Sequence, residues 1–123
     1  MSLRIKRVYD APTISDGFRV LVDRLWPRGL TTERAHLDLW LKEVAPSPDL
    51  RVWWDHEPAR FKAFAERYQS ELDRNPAVRE LEAALATHRT VTLVYGARDT
   101  RVNHAAVLAQ FLVNAVRGDS TDG

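Results

Sequence analysis

At 123 residues, with 45% apolar and 28% charged side chains, the chain is sized for one domain that buries roughly two-thirds of the surface its unfolded form exposes. A net charge of +1 argues against nucleic-acid binding driven by the overall field of the molecule. No cysteine is present, which removes disulfides, thiolate nucleophiles and Cys-ligated zinc or iron–sulfur sites.

Met1 to Arg7 enters a charged strand pattern directly rather than a signal-peptide pattern, so a cytoplasmic location is expected. Apolar runs fall far short of the ~20 residues of a membrane span. Ile5, Val8 and Tyr9 alternate with Lys6 and Arg7, a strand with one wetter side. Asp10 to Gly17, holding Pro12, Ser15 and Asp16, is turn chemistry. Phe18 to Val22 is a second strand, and its Val20-Leu21-Val22 run suits cover on both faces. Thr31 or Thr32 can cap a helix ending before Pro46, with Leu37, Trp40, Leu41 and Val44 at i, i+3, i+4 and i+7. Ser47-Pro48 is a cap with proline at the first helical position, and it opens a short turn carrying Leu50, Trp53 and Trp54. Pro58 starts the strongest helix, with Phe61, Phe64, Ala65, Tyr68 and Leu72 on one face. Asn75-Pro76 repeats the cap-plus-proline device before Val78, Leu81, Ala84 and Leu85. Thr90 to Tyr95, β-branched and bounded by Gly96, is the clearest strand. Val107, Leu108, Phe111, Leu112 and Ala115 define a closing helix stopped by Gly118, followed by a flexible tail over 119–123.

This order predicts a single α/β domain over residues 1–118: a small, mostly parallel, Rossmann-like sheet of three or four strands flanked by helices. The long helical connection from Val22 to Val91 makes those two strands parallel neighbours. The first strand is either antiparallel or reached by a tight loop, and a further strand fits near Ala35 to Val44.

Ligands of open parallel sheets gather beyond the carboxyl ends of the strands, so the loops Asp23–Gly29 and Gly96–Asn103 mark a candidate cleft. Asp23-Arg24-Leu25-Trp26-Pro27-Arg28-Gly29 is the anomaly, because guanidinium groups behind a buried strand call for an anionic or aromatic receiver. One reading is an anion cleft: Arg24, Arg28 and Lys42 bind a phosphorylated or nucleotide-like small molecule, with Trp26, Tyr95 and Asn103 around it. His104 or His56 then moves a proton, oriented by Asp23 or Asp99, in hydrolase-like acid–base chemistry. His104 opens the last helix, and a helix N-terminus favours the neutral imidazole that a base requires. The structural alternatives are equally concrete. Arg24 and Arg28 can pair with Asp23 or Asp99 and staple the two loops. His56 can cap the helix at Pro58, Tyr95 can be a core tyrosine with a bonded hydroxyl, and Trp26, Trp40, Trp53 and Trp54 can form an aromatic mini-core. The third reading is a non-catalytic module contacting nucleic acid or protein. Seven Lys/Arg stand against four Asp/Glu from Arg4 to Arg34, which permits such contact but predicts weak affinity. His56, His104, Asp55 and Asp99 offer no pair at ligand spacing on one helix, so no metal and no cofactor is expected. Substrate and oligomeric state are not legible.

Val22-Asp23-Arg24-Leu25-Trp26-Pro27-Arg28-Gly29, Trp40-Leu41-Lys42-Glu43 with Ala45-Pro46-Ser47, and Val94-Tyr95-Gly96-Ala97-Arg98-Asp99 with Asn103-His104-Ala105 resemble the bacterial YeaO-like family. Leu50-Arg51 with Trp53, and Arg67-Tyr68 with Glu71-Leu72, fit it as well. The resemblance spans nearly the whole chain and implies a domain of unknown function, without an assigned reaction. More distantly, the chain resembles a broader branch whose second strand ends in Asp-Val-Arg and whose last strand–helix junction carries cysteines. That likeness implies a parallel sheet with both motifs on one edge, and this chain departs from it in lacking every cysteine.

Overall fold

A computed structural model describes residues 2–121 of the chain. Four strands, β1 (Ser2–Arg7), β2 (Phe18–Leu21), β3 (Leu39–Trp40) and β4 (Thr90–Tyr95), form one sheet in the order β1-β4-β2-β3. Every pairing is parallel: β4 lies between β1 and β2, and β3 extends the far edge. The helices are α1 (Thr32–Ala35), α2 (Pro48–Trp54), α3 (Phe61–Asp73), α4 (Val78–Thr87) and α5 (His104–Thr121). The fold class is therefore α/β, with the β2–β4 pairing read from the sequence.

The strand period divides the sheet into two faces. Val20, Val91, Leu93 and Tyr95 point into the main core, where they meet Leu50 and Trp54 of α2, Phe64, Tyr68 and Leu72 of α3, Leu81 of α4 and Leu108 and Leu112 of α5. Leu21 and Val94 point the other way, into a smaller cluster with Val8 and Ala35. That second face is covered by α1 and by the crossover through residues 8–17. Polar registry fixes the crossover: Arg19 and Thr92 are adjacent in the sheet, Arg19 donates to Asp16 Oδ2 at 2.7 Å, and the Thr92 hydroxyl donates to the Asp16 carbonyl at 2.6 Å. The first strand is thus parallel and followed by a tight loop instead of a helix.

Two expectations need correction. The segment from Thr31 to Val44 is not one helix: α1 ends at His36 in the left-handed conformation (φ 48), and β3 follows. The free edge of β2 captures this stretch, with Asp38 N donating to Arg19 O at 2.9 Å and Leu41 N to Leu21 O at 2.9 Å. The apolar spacing at Leu37, Trp40, Leu41 and Val44 came from a strand joined to a short 3-10 turn (Lys42–Val44), so the strand sought near Ala35 to Val44 is β3. The second correction concerns Gly118, which does not stop α5; the helix continues to Thr121. An interior glycine weakens a helix by about 1 kcal/mol without ending it. Of the tail expected over 119–123, its first three positions are helical and residues 122–123 lie outside the described ones. No helix among the described residues is long and apolar enough to cross a membrane.

Two of the three proline devices hold. Ser47 caps α2, accepting from Leu50 N at 3.2 Å, and Pro58 opens a 3-10 turn that runs into α3. Asn75-Pro76 does not cap α4: Asn75 Oδ1 accepts from Ala77 N at 3.0 Å, a turn ahead of the helix, whose N-cap is Ala77 with no side-chain cap bond.

Candidate functional site

Because all four strands are parallel, their carboxyl ends share one edge, and the loops leaving them converge there. A pocket of about 340 Å³ opens at this edge, within the range of about 300–1,000 Å³ usual for small-molecule sites. Burial orders its walls by depth. Trp54, Phe64, Ala45 and Pro27 are buried and make the floor; Asp23, Arg24, Trp26 and His104 are half-buried; Tyr9, Leu25, Arg28, Arg51 and His56 stand exposed at the mouth.

Asp23 is fixed by the β4 loop, whose Gly96 N–H donates to Oδ2 at 2.8 Å. A Cβ at Gly96 would stand 2.9 Å from that oxygen, so only glycine lets the carboxylate come this close. His104 Nε2 lies 3.1 Å from the Val22 carbonyl and 3.3 Å from Asp23 Oδ1. Both oxygens only accept, so Nε2 carries a proton. The ring N–H is aimed at the carbonyl, and Asp23 Oδ1 is left buried without a hydrogen-bond partner. The imidazole meets the Tyr68 ring edge-on at 6.3 Å, and Tyr68 in turn packs through Phe64 to Trp54. The Tyr68 hydroxyl donates to Val44 O at 2.6 Å, and burial pushes it well above the usual tyrosine range. An aromatic column thus seats the histidine.

Arg24 donates from one terminal nitrogen to the Ala45 and Pro46 carbonyls, both at 3.3 Å, and its Nε is buried with no acceptor. Among the described residues no ion pair involves Arg24, Arg28 or Arg51. The stapling of Arg24 and Arg28 to Asp23 or Asp99 is therefore not what the structure has. His56 does not cap the turn at Pro58, which follows Glu57 and has no side-chain cap. It adopts a left-handed backbone (φ 54) directly after another at Asp55 (φ 50), and its ring lies 4.8 Å from that of Trp54.

Of the residues singled out from sequence, Asp23, Arg24, Trp26, Arg28, His56 and His104 meet in this pocket, and Lys42, Tyr95, Asp99 and Asn103 do not line it. Lys42 sits 5.5 Å over the Trp40 ring. Trp40 braces the loop from outside, donating to Asp23 O at 2.8 Å and meeting Trp26 edge-on at 5.4 Å. Tyr95 belongs to the main core, where burial raises its hydroxyl pKa. Asp99 accepts from Val102 N at 2.9 Å and Arg101 N at 2.8 Å, bonds that lower its carboxyl pKa. Asn103 Oδ1 accepts from Ala106 N at 2.8 Å. These two side chains build the turn that presents His104. Among the described residues no group of three or more His, Asp or Glu is arranged to hold a metal ion.

The family described as the inactive DUF488-N3 subclade matches over residues 2–123. The chain belongs to that subclade. It is similar to the uncharacterized protein YeaO of Escherichia coli, 43% identical over 112 residues, which cover 91% of this chain and 97% of YeaO. It is also similar to the uncharacterized protein Rv3073c of Mycobacterium tuberculosis, 46% identical over 110 residues, covering 89% of this chain and 92% of the relative. No solved structure matches. The YeaO-like resemblance read from the Asp23–Gly29 and Tyr95–Ala105 strings is thus a family membership.

Within this DUF488-N3 fold, sequence reasoning missed Arg51, Tyr9, Leu25 and Phe64 as pocket walls. Arg51 was within reach: it precedes Trp54 by one helical turn on α2, and residues three apart share a helix face.

Proposed function

We propose that this protein binds a small anionic ligand at the carboxyl edge of its sheet and does so without turning it over. The carrying observation is that Arg24, Arg28 and Arg51 line one pocket with no carboxylate partner among the described residues, half-buried Arg24 meeting only neutral carbonyls, both at 3.3 Å. An unpaired, partly buried guanidinium costs stability unless something receives it, and a phosphate or carboxylate is its matched acceptor. Asp23, the pocket's own carboxylate, is engaged by Gly96 and stands against His104. The family's description as inactive and the lack of cysteine support binding over turnover.

Titration of the protein with inorganic phosphate, pyrophosphate and sulfate tests this. Binding is expected to weaken at least about tenfold in Arg24→Ala and in the Arg28→Ala/Arg51→Ala double variant. Absence of binding by all three anions, or binding unaffected by these substitutions, overturns it. One feature favours acid–base catalysis as a second reading, namely the contact between Asp23 and His104 at 3.3 Å. That reading predicts slow cleavage of a phosphate ester that His104→Ala abolishes.

A further inference from the structure

The identity of the ligand follows from how the pocket's charges are layered, granted the anion-binding reading above. The free cations Arg28 and Arg51 are exposed at the mouth, whereas Asp23, with 19% of its side chain exposed, stands further in. Beneath it, Trp54 and Phe64 are 2% and 0% exposed and stack at 4.1 Å, an uncharged aromatic floor. An anion pushed to the floor would lose its hydration to hydrocarbon and leave the pocket's arginines behind. It therefore belongs at the mouth. The inward part of the ligand has to be apolar in body and able to donate a hydrogen bond, because it passes the Asp23 carboxylate, whose side chain keeps 19% of its surface exposed. Trp26 contributes ring surface only, since its N–H is already given to Leu30 O at 2.7 Å.

A planar ring carrying N–H donors, joined through a spacer to a phosphate, meets all of these demands. We infer that the pocket takes a nucleoside monophosphate, its heterocycle inward against Trp54 and Trp26 with an N–H toward Asp23, its phosphate outward between Arg28 and Arg51. A volume of about 340 Å³ restricts it to a single small ligand.

The test is titration of the full chain with GMP, guanosine and inorganic phosphate, followed by calorimetry and by quenching of tryptophan fluorescence. GMP is expected to bind at least about tenfold more tightly than phosphate, the gain that one stacked base supplies. The Arg28→Ala/Arg51→Ala double variant is expected to weaken GMP about tenfold and leave guanosine unchanged. Asp23→Asn is expected to weaken GMP and guanosine alike and spare phosphate. Phosphate binding as tightly as GMP, with both lost in the arginine variant, overturns the ring-inward ligand and keeps the anion site; no binding by any of the three overturns both. A single-stranded tetranucleotide carries the same chemistry. Tighter binding of the tetranucleotide than of GMP assigns the ligand to a strand end, and equal or weaker binding assigns it to the free nucleotide.

Discussion

Arg19 and Arg24 are close in sequence and opposite in bonding. Arg19 is 1% exposed and spends its donors on Asp16 at 2.7 Å, Ala35 O at 2.9 Å and His36 O at 3.1 Å. Arg24 has two long bonds to carbonyls and an orphan Nε. Removing one partner of a buried ion pair costs about 3–5 kcal/mol, whereas losing neutral-acceptor bonds at a half-buried site costs about 1 kcal/mol. Arg19→Ala is therefore expected to lower stability several-fold more than Arg24→Ala in urea denaturation; equal midpoints would contradict this division of labour. Gly96→Ala belongs at the same scale. Its Cβ would press on Asp23 Oδ2 at 2.9 Å, so the carboxylate is expected to leave His104, seen as a changed imidazole resonance in NMR with the fold retained. Sequence pointed to Arg24 because nothing local accounted for it. Arg19 escaped notice because its acceptors come from a turn and from α1, which only the folded chain brings beside the strand.

At the scale of elements, the crossover through residues 8–17 does the work that a helix does in most parallel connections. It holds on through Asp16, 3% exposed. Burial alone would raise the carboxyl pKa, but the bonds from the Thr13 backbone, Lys6, the Thr13 hydroxyl and Arg19 outweigh it and bring it from 3.8 to about 2. A carboxyl whose folded pKa is depressed contributes stability in full above its unfolded value and loses it as pH falls through the folded one. About 2 kcal/mol is thus expected to vanish between pH 4 and pH 2, measurable as a fall in melting temperature that Asp16→Asn removes. An unchanged pH dependence in that variant would refute the assignment. Next to it, Gly17 has φ 65, and a Cβ there would lie 2.4 Å from Thr90 O; Gly17→Ala is expected to cost more than about 1 kcal/mol in denaturant unfolding. Elements with a local signal were legible in the sequence. Ser47-Pro48 and the Phe61–Leu72 stripe gave α2 and α3, because capping and amphipathic spacing depend on neighbouring residues. The stretch from Thr31 to Val44 was misread because its hydrogen bonds go to β2, and partners so far along the chain leave no periodic trace.

For the molecule as a whole, parallel strands send every following loop to one edge, and the chemistry of this chain collects there. The sequence therefore located the pocket through Asp23–Gly29 and the start of α5, both tied to strand ends. It also singled out Lys42, Tyr95, Asp99 and Asn103, which do not line the pocket, because the same loops also need residues that turn, cap and brace them, and composition does not tell the two uses apart. We propose that the edge pocket receives an anion on its unpaired guanidinium groups. The direct measurement is an anomalous difference map from a crystal of the protein soaked in selenate. The expected result is a selenium peak at the pocket mouth within hydrogen-bonding reach of Arg28 or Arg51, absent from the Arg28→Ala/Arg51→Ala variant. A map with selenium elsewhere and none at the pocket would contradict the account.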